Sequence, residues 1–170
     1  MPVRWSSTYT MLKMFYGMMD AIKAVLATQK FDRSLDSVAL TSQDWVIAQE
    51  LLLFFGIFTK TTTLMQADNY PTINRILPEY YRLIKDLELV TKAEAFGSTK
   101  TLILQQSIRD AATSALAKMN DYFTRNTSSP TAFVATICDP RFKLTVFESL
   151  WKDDRPYVER AKRHFKNVYN

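Results

Sequence analysis

The scarcity of glycine, together with the spacing of apolar residues, most constrains how this chain can fold. Only three of its 170 residues are glycine, and no stretch alternates apolar and polar residues for long enough to build a sheet. Three glycines are too few for the turns of an all-β protein. Apolar residues instead recur every three or four positions, as they do on one face of a helix. The sequence therefore predicts a mainly all-α fold with roughly six to seven helices.

The first two helices are predicted from this spacing and from one capping signal. The first runs from Ser7 to Ala27. The second follows Thr41, which has Asp44 three residues later, the pattern of a capped helix start. Around Gly56, between residues 54 and 64, aromatic and β-branched residues leave a strand as an alternative.

The next two helices are separated by a loop predicted at residues 91–100. Thr72 is the expected cap of the third helix, and Pro78 predicts either a kink or a restart of the helix at that proline. The fourth helix is the most regular in the chain. Its predicted apolar face consists of Leu104, Ile108, Ala111, Ala115, Met119 and Tyr122.

The last third of the chain is predicted to contain a linker, an ambiguous segment and two helices. Residues 126–130 have a linker composition, and residues 132–138 are apolar but too short to distinguish helix from strand. Two helices follow, from Leu144 to Trp151 and from Pro156 to Tyr169. The predicted core face of the last helix consists of Tyr157, Ala161, Phe165 and Val168.

Composition narrows the classes of protein that this chain can represent. A single cysteine, Cys138, cannot form an internal disulfide, so the sequence fits a reducing intracellular compartment. The longest apolar run, residues 51–58, is far below the roughly 20 residues that span a bilayer, and no membrane or targeting segment is expected. A formal charge of +5 permits contact with a polyanion but is also typical of a solubilising surface.

Residues for catalysis and metal binding are sparse. Cys138 and His164 are each the sole residue of their type, whereas a zinc site needs three or four ligands, and no glycine-rich phosphate loop occurs. His164 is expected to be a solvated surface residue. Asp139 is expected to cap the segment that begins near Arg141 and not to act in catalysis.

Two groups of residues are compatible with DNA contact. Arg4 and Trp5 could hold a phosphate and stack on a base, although Trp5 could equally be a buried anchor. The last helix carries more cations than acids, which indicates either a solvated face or a surface for a phosphate backbone. The candidate DNA-binding residues are Arg4, Trp5, Arg160, Lys162, Arg163 and Lys166.

Three segments in order resemble the hAT superfamily of DNA transposases, which includes the transposases with a BED-type zinc finger. VRWSSTY at residues 3–9 resembles a TRWNSTY-type segment of that family, with Val3 for Thr and Ser6 for Asn. YPTI at residues 70–73, followed by LP and YY at 77–81, resembles its YPT…LP motif. ATICDPRFK at residues 135–143 resembles its LDPRFK segment, with Cys138 for Leu.

The resemblance implies a piece of the helical insertion in an RNase H-like catalytic domain. Residues 1–10 would lie at the edge of that domain, and residues 11–170 would form the insertion and the returning segment. In this family two catalytic aspartates precede the RW segment and a glutamate follows the insertion, so no catalytic residue is assigned here and the chain is expected to be inactive alone. The BED-type zinc finger is also not in this sequence.

Cofactor, partners and location follow from the same resemblance. The complete enzyme would use Mg²⁺ or Mn²⁺ on three carboxylates, none of them in this chain. It would bind transposon-end DNA, self-associate through regions outside this chain and act in the nucleus. The tryptophan of the RW segment, which is Trp5 in this chain, would lie near the DNA. The competing interpretation is a domesticated structural or protein-interaction domain without DNA contact.

Overall fold

Helices account for all the regular structure in the part of the chain that the computed structural model describes, which is residues 5–28, 40–66, 70–92 and 104–169. The prediction of an all-α fold is confirmed, with eight α-helices in these ranges instead of six to seven. They are α1 (Trp5–Gly17), α2 (Met19–Thr28), α3 (Ser42–Met65), α4 (Ile76–Thr91), α5 (Gln106–Ser128), α6 (Pro130–Cys138), α7 (Thr145–Leu150) and α8 (Arg155–Tyr169), with a 3₁₀ turn at Ile73–Arg75.

The additional helix arises because the first predicted helix is divided at Met18. The N–H of Met18 lies 3.1 Å from the carbonyl oxygens of both Met14 and Phe15, a shared bond that marks the end of α1. Helical bonding resumes at once, since Ile22 donates to the carbonyl of Met18 at 2.9 Å. Periodicity continues across such a break, so the sequence pattern did not show it.

The start of α3 is as predicted. The backbone N–H of Thr41 donates to the Asp44 carboxylate at 2.8 Å, and the N–H of Asp44 donates to the Thr41 hydroxyl at 3.2 Å. This reciprocal pair is a capping box. The strand alternative around Gly56 is wrong, because α3 continues through Gly56 to Met65 and buries Phe54 and Ile57 on one helical face.

Two other predicted helix starts are displaced. Thr72 does not cap α4, which begins at Ile76 after the 3₁₀ turn. Pro78 is the third residue of α4, where its missing N–H costs no intrahelical bond, so neither the kink nor a restart at Pro78 itself is needed. The loop predicted at 91–100 falls mostly outside the described residues.

The linker predicted at 126–130 is wrong. Helix α5 continues to Ser128, and α6 begins at Pro130 with Ser129 as its cap, since the Ser129 hydroxyl accepts the N–H of Thr131 at 3.3 Å. The ambiguous segment at 132–138 therefore forms a helix. Proline suits the first helical position because its fixed backbone angle is already helical and no hydrogen bond is lost there.

The predicted apolar faces are partly correct. In the face predicted for the fourth helix, Leu104 and Ile108 are buried, and Ala115 and Met119 pack against the same cluster, as predicted. Ala111 and Tyr122 are exposed instead, and Ala112 is fully buried. On α8, Tyr157 and Ala161 are buried as predicted, but Val168 is 56% exposed.

Two hydrophobic clusters form the core. The first lies between α3, α4 and α5 and contains Phe54, Ile57, Leu83, Leu87, Val90, Leu104, Ile108 and Ala112. The second lies between the start of α4 and helices α6, α7 and α8 and contains Leu77, Ala132, Phe133, Phe147, Trp151, Tyr157, Val158 and Ala161. Helix α4 thus contributes to both clusters.

Replacing Phe133 with alanine should destabilise the fold strongly. Phe133 is fully buried, with the rings of Tyr157 and Phe147 at centroid distances of 5.3 and 5.7 Å, so truncation leaves a cavity. Urea unfolding should show a loss of about 3–5 kcal/mol. Met14→Ala, at a side chain that is 65% exposed, is the control and should change stability by less than about 0.5 kcal/mol. Equal effects of the two substitutions would contradict the assignment of this cluster as core.

Candidate nucleic-acid interface

The basic helix α8 begins at a side-chain cap that the sequence analysis did not identify. The Asp154 carboxylate accepts the N–H of Tyr157 at 3.1 Å, and Pro156 occupies the first turn. Aspartate three residues before the accepted N–H, with proline between them, is a recognisable start signal. Tyr157, Val158 and Ala161 then face the second cluster, which leaves the basic residues along the other sides of α8.

The four candidate cations of α8 have different environments. Lys162 is paired with acids, since its Nζ lies 3.1 Å from Glu159 and 3.8 Å from Glu148. The guanidinium of Arg160 lies over the rings of Phe133 and Tyr157, at 5.6 and 5.4 Å from their centroids.

Arg163 and Lys166, by contrast, are exposed. Neither forms an ion pair with an acid in the described part of the chain. They are three residues apart, so they lie on the same side of the helix. Of the four candidates on α8, Arg163 and Lys166 are therefore best placed to meet a phosphate backbone.

His164 is not the solvated surface residue that was expected. It is half-buried, and its ring centroid lies 5.1 Å from that of Phe133. Burial, followed by the positive charges of Arg160 and Arg163, lowers the pKa of His164 below its usual value. The imidazole is consequently neutral near pH 7 and adds no charge to this surface.

The N-terminal pair is only partly within the described structure. Helix α1 begins at Trp5, whose side chain is not described, and Arg4 lies outside the described residues. The choice between DNA contact and core anchor for Trp5 stays a prediction.

Two of the three family-like segments meet in space. Asp139 from the DPRFK segment accepts a hydrogen bond from the side-chain amide of Asn74, which directly follows the YPTI segment. Thr136 Oγ1 donates to the main-chain carbonyl of Asn74 at 3.0 Å. Asn74 and Asp139 are 65 positions apart in the sequence, so no local sequence pattern predicted this contact.

Asp139 has the capping role that the sequence predicted. One carboxylate oxygen accepts the N–H of Arg141 at 2.9 Å and its Nε at 3.0 Å, and the other accepts Arg141 Nη2 at 2.7 Å. These bonds from Arg141, with the one from Asn74, hold the pKa of Asp139 well below its usual range despite burial. Because the carboxylate is buried and fully occupied by these donors, the geometry indicates a structural role.

Three further findings bear on function. Among the described residues, no three His, Cys, Asp or Glu side chains are grouped so that they could hold a metal ion. Within the same ranges, no helix is both long and apolar enough to cross a bilayer. Comparisons with protein-family models, curated proteins and solved structures found no match to this chain.

Removing the charge of Asp139 should weaken the fold at neutral pH and much less in acid. Asp139→Asn keeps one acceptor but loses the ion pair with Arg141, which we expect to cost about 1–2 kcal/mol at pH 7. The carboxylate has a lower pKa when folded than when unfolded, so its contribution is complete above about pH 4 and is lost as the pH falls toward the folded value.

Chemical unfolding at pH 7 and near pH 2.5 measures this difference. The gap between wild type and Asp139→Asn should narrow at the lower pH. Asp153→Asn, at an exposed position, should stay within about 0.5 kcal/mol of wild type at both values. A gap for Asp139→Asn that is the same at both pH values would contradict the role of the ionised carboxylate.

Proposed function

We propose that this chain is part of the helical insertion of a hAT-type transposase, or of a host protein derived from one. In this role it contributes to DNA binding and to assembly of the larger protein in the nucleus, and it does not cut DNA alone. The all-α architecture is compatible with such an insertion. The proposal otherwise depends on the sequence resemblance and on where the resembling segments lie in the fold.

The observation that carries the proposal is the contact between the two motif segments. Asp139 and Asn74 bond to each other, and Arg141 completes the coordination of the same carboxylate. If the segments resembled a family by chance, nothing would require Asp139 of one segment to bond to the residue directly after the other, 65 positions away. A shared structural junction gives both motifs one physical reason to occur together in a chain.

The charge distribution supports the DNA-binding part of the proposal. Arg163 and Lys166 are exposed on α8, and neither is neutralised by an acid among the described residues. Lysine and arginine that contact backbone phosphates release counterions, and that release makes binding strongest at low salt. Two such contacts predict weak binding that depends on salt and not on base sequence.

Metal-dependent chemistry is assigned to no residue of this chain. The Mg²⁺ or Mn²⁺ implied by the resemblance needs several converging carboxylates, and the described residues hold no such group. The acids near the basic helix have other partners, since Asp154 caps α8 and Glu159 pairs with Lys162. We therefore derive no step of phosphodiester transfer from these residues.

A specific observation favours the alternative of a protein-interaction domain without DNA contact. Met11, Met14 and Met18 are 62%, 65% and 52% exposed and lie together on the side of α1. Exposed methionines are frequent on surfaces that bind other proteins, because their flexible side chains adapt to varied partners. The DNA-binding experiment below separates this alternative from the main proposal.

Binding of fluorescent duplex and hairpin DNA, followed by anisotropy over a range of salt concentrations, tests the proposal. Affinity should be highest at low salt, and log K should fall linearly with log salt. Arg163→Gln combined with Lys166→Gln should reduce that slope by about 2, one unit for each phosphate contact. Lys13→Gln with Lys60→Gln removes the same charge from exposed positions on α1 and α3 and should leave the slope nearly unchanged. No binding even at low salt would refute DNA contact and favour the interaction domain.

Trp5→Ala distinguishes the two roles left open for that residue. If Trp5 contacts DNA, the variant should bind hairpin DNA about tenfold more weakly, the loss expected for one stacked base, with unchanged helix content. Circular dichroism and anisotropy on the same sample give both quantities. Loss of helix content together with a lower melting temperature would identify Trp5 as a core anchor instead.

A further inference from the structure

A cleft of about 320 Å³ lies at the beginning of α8 and is separate from the motif junction at Asp139. It is lined by Asp154, Pro156, Tyr157, Arg160 and Arg163. The cleft extends from the start of α8, at Asp154 and Pro156, to Arg160 and Arg163 in the second and third turns of this 15-residue helix. These features alone indicate only a positive surface, and the case for a ligand depends on Tyr157 and Arg160.

Tyr157 lines this cleft, and its hydroxyl is buried without a hydrogen-bond partner among the described residues. The residue is 7% exposed, and its ring is packed against Trp151 and Phe133 at centroid distances of 4.7 and 5.3 Å. Its hydroxyl accepts from and donates to no group in the described part of the chain. A buried hydroxyl without a partner costs free energy, so the site lacks a hydrogen-bonding group that the protein does not supply.

The hydroxyl of Tyr157 is a donor at physiological pH. Burial raises the pKa of Tyr157, while Arg160 lowers it and Asp154 raises it by smaller amounts. The hydroxyl therefore stays protonated. An acceptor oxygen in the cleft would satisfy it.

Arg160 presents a second unsatisfied donor. Its Nε is shielded from solvent and has no acceptor among the described residues, and its guanidinium is placed by the rings of Tyr157 and Phe133 and not by an ion pair. Because no hydrogen bond or ion pair fixes it among the described residues, the guanidinium can turn toward a ligand in the cleft. The Tyr157 hydroxyl is shielded from solvent, so a ligand reaches it only when side chains at the cleft move. The Tyr157 hydroxyl and the Arg160 Nε can both donate a hydrogen bond, and a guanidinium cannot accept one. A ligand that satisfies both groups must therefore offer acceptor atoms such as oxygens.

We propose that this cleft binds a phosphate group, with the Tyr157 hydroxyl and the Arg160 guanidinium as its donors and Arg163 as a second positive charge at the rim. A tetrahedral oxyanion offers several acceptor oxygens in different directions, which suits donors from separate side chains. Asp154 opposes the anion, but two arginines outweigh one carboxylate, and one of its oxygens is already engaged by the N–H of Tyr157. The phosphate is either a free ion or a phosphodiester of DNA, and the DNA source rests on the proposed function.

Titration of the full chain with inorganic phosphate, at constant ionic strength set with chloride, tests the site directly by ³¹P and protein NMR. Tyr157→Phe removes only the hydroxyl and should weaken phosphate binding about tenfold, as expected for a hydrogen bond to a charged group. Arg160→Gln should weaken it at least as much. Asp154→Asn keeps a capping oxygen and removes the repulsion, so it should strengthen binding about fivefold. Lys60→Gln removes one positive charge from an exposed position on α3, outside the cleft, and it should bind phosphate as wild type does.

The melting temperature of each variant shows whether it is folded and serves as the control for loss of stability. Tyr157→Phe should be at least as stable as wild type, because it removes a buried hydroxyl without a partner. Should Arg160→Gln prove unstable, Tyr157→Phe and Asp154→Asn still test the site with opposite expected signs. Phosphate binding that is absent from wild type, or unchanged in both of those variants, would overturn the proposal.

Repeating the titrations with duplex DNA identifies the source of the phosphate and keeps the two proposals separate. If Tyr157→Phe weakens binding of both phosphate and DNA, the ligand is a backbone phosphodiester. If it weakens binding of phosphate while wild type binds no DNA, the cleft holds a free phosphate and the proposed DNA-binding function fails. If DNA binds equally well to wild type and Tyr157→Phe and phosphate does not bind, the cleft proposal fails and the DNA-binding function stands.

Discussion

The fold depends on one helix, α4, that contributes buried residues to two hydrophobic clusters. Leu77 near the start of α4 is fully buried in the second cluster, whereas Leu87 and Val90 near its end are buried in the first. Leu77 and Val90 are about 20 Å apart along the helix axis. Because α4 is a continuous rod between the clusters, the position of α3 and α5 on one side fixes where α6, α7 and α8 can pack on the other.

Polar contacts supplement this arrangement in the middle of α4 and just before its start. Arg82 bonds to Glu79 and Asp86 on its own helix, and its guanidinium also donates to Thr61 on α3. Near the start of α4, the Asn74 amide donates to Asp139, which follows α6. Apolar packing fixes which helices are neighbours, and these directional bonds fix how they are aligned.

Sequence reasoning was most accurate where the signal was local. The capping box at Thr41 and Asp44 needs residues three apart, and the burial of Ile108 follows from spacing within one helix. The kink or restart predicted at Pro78 and the linker predicted up to Pro130 were both wrong, because proline is also compatible with the first turn of a helix.

Features that depend on distant partners were beyond the sequence patterns. Glu50 is buried at 4% exposure because it accepts the N–H of Gln105, 55 residues away. His164 was expected to be solvated because its chain neighbours are basic, yet the ring that covers it, Phe133, belongs to α6. The sequence also could not predict that the Tyr157 hydroxyl has no hydrogen-bond partner, because this depends on which groups surround it in space.

Only part of the net charge of +5 is available for contact with DNA phosphates. Of the four α8 cations in the candidate set, Lys162 is paired with acids and Arg160 lies across aromatic rings, which leaves Arg163 and Lys166 fully available. About two phosphate contacts give a salt dependence far weaker than the six to ten contacts of a tight DNA-binding protein. DNA binding through these two residues would therefore be weak in this chain by itself and would become strong only in a larger protein, where linkage to other DNA-binding parts raises its effective concentration at the DNA.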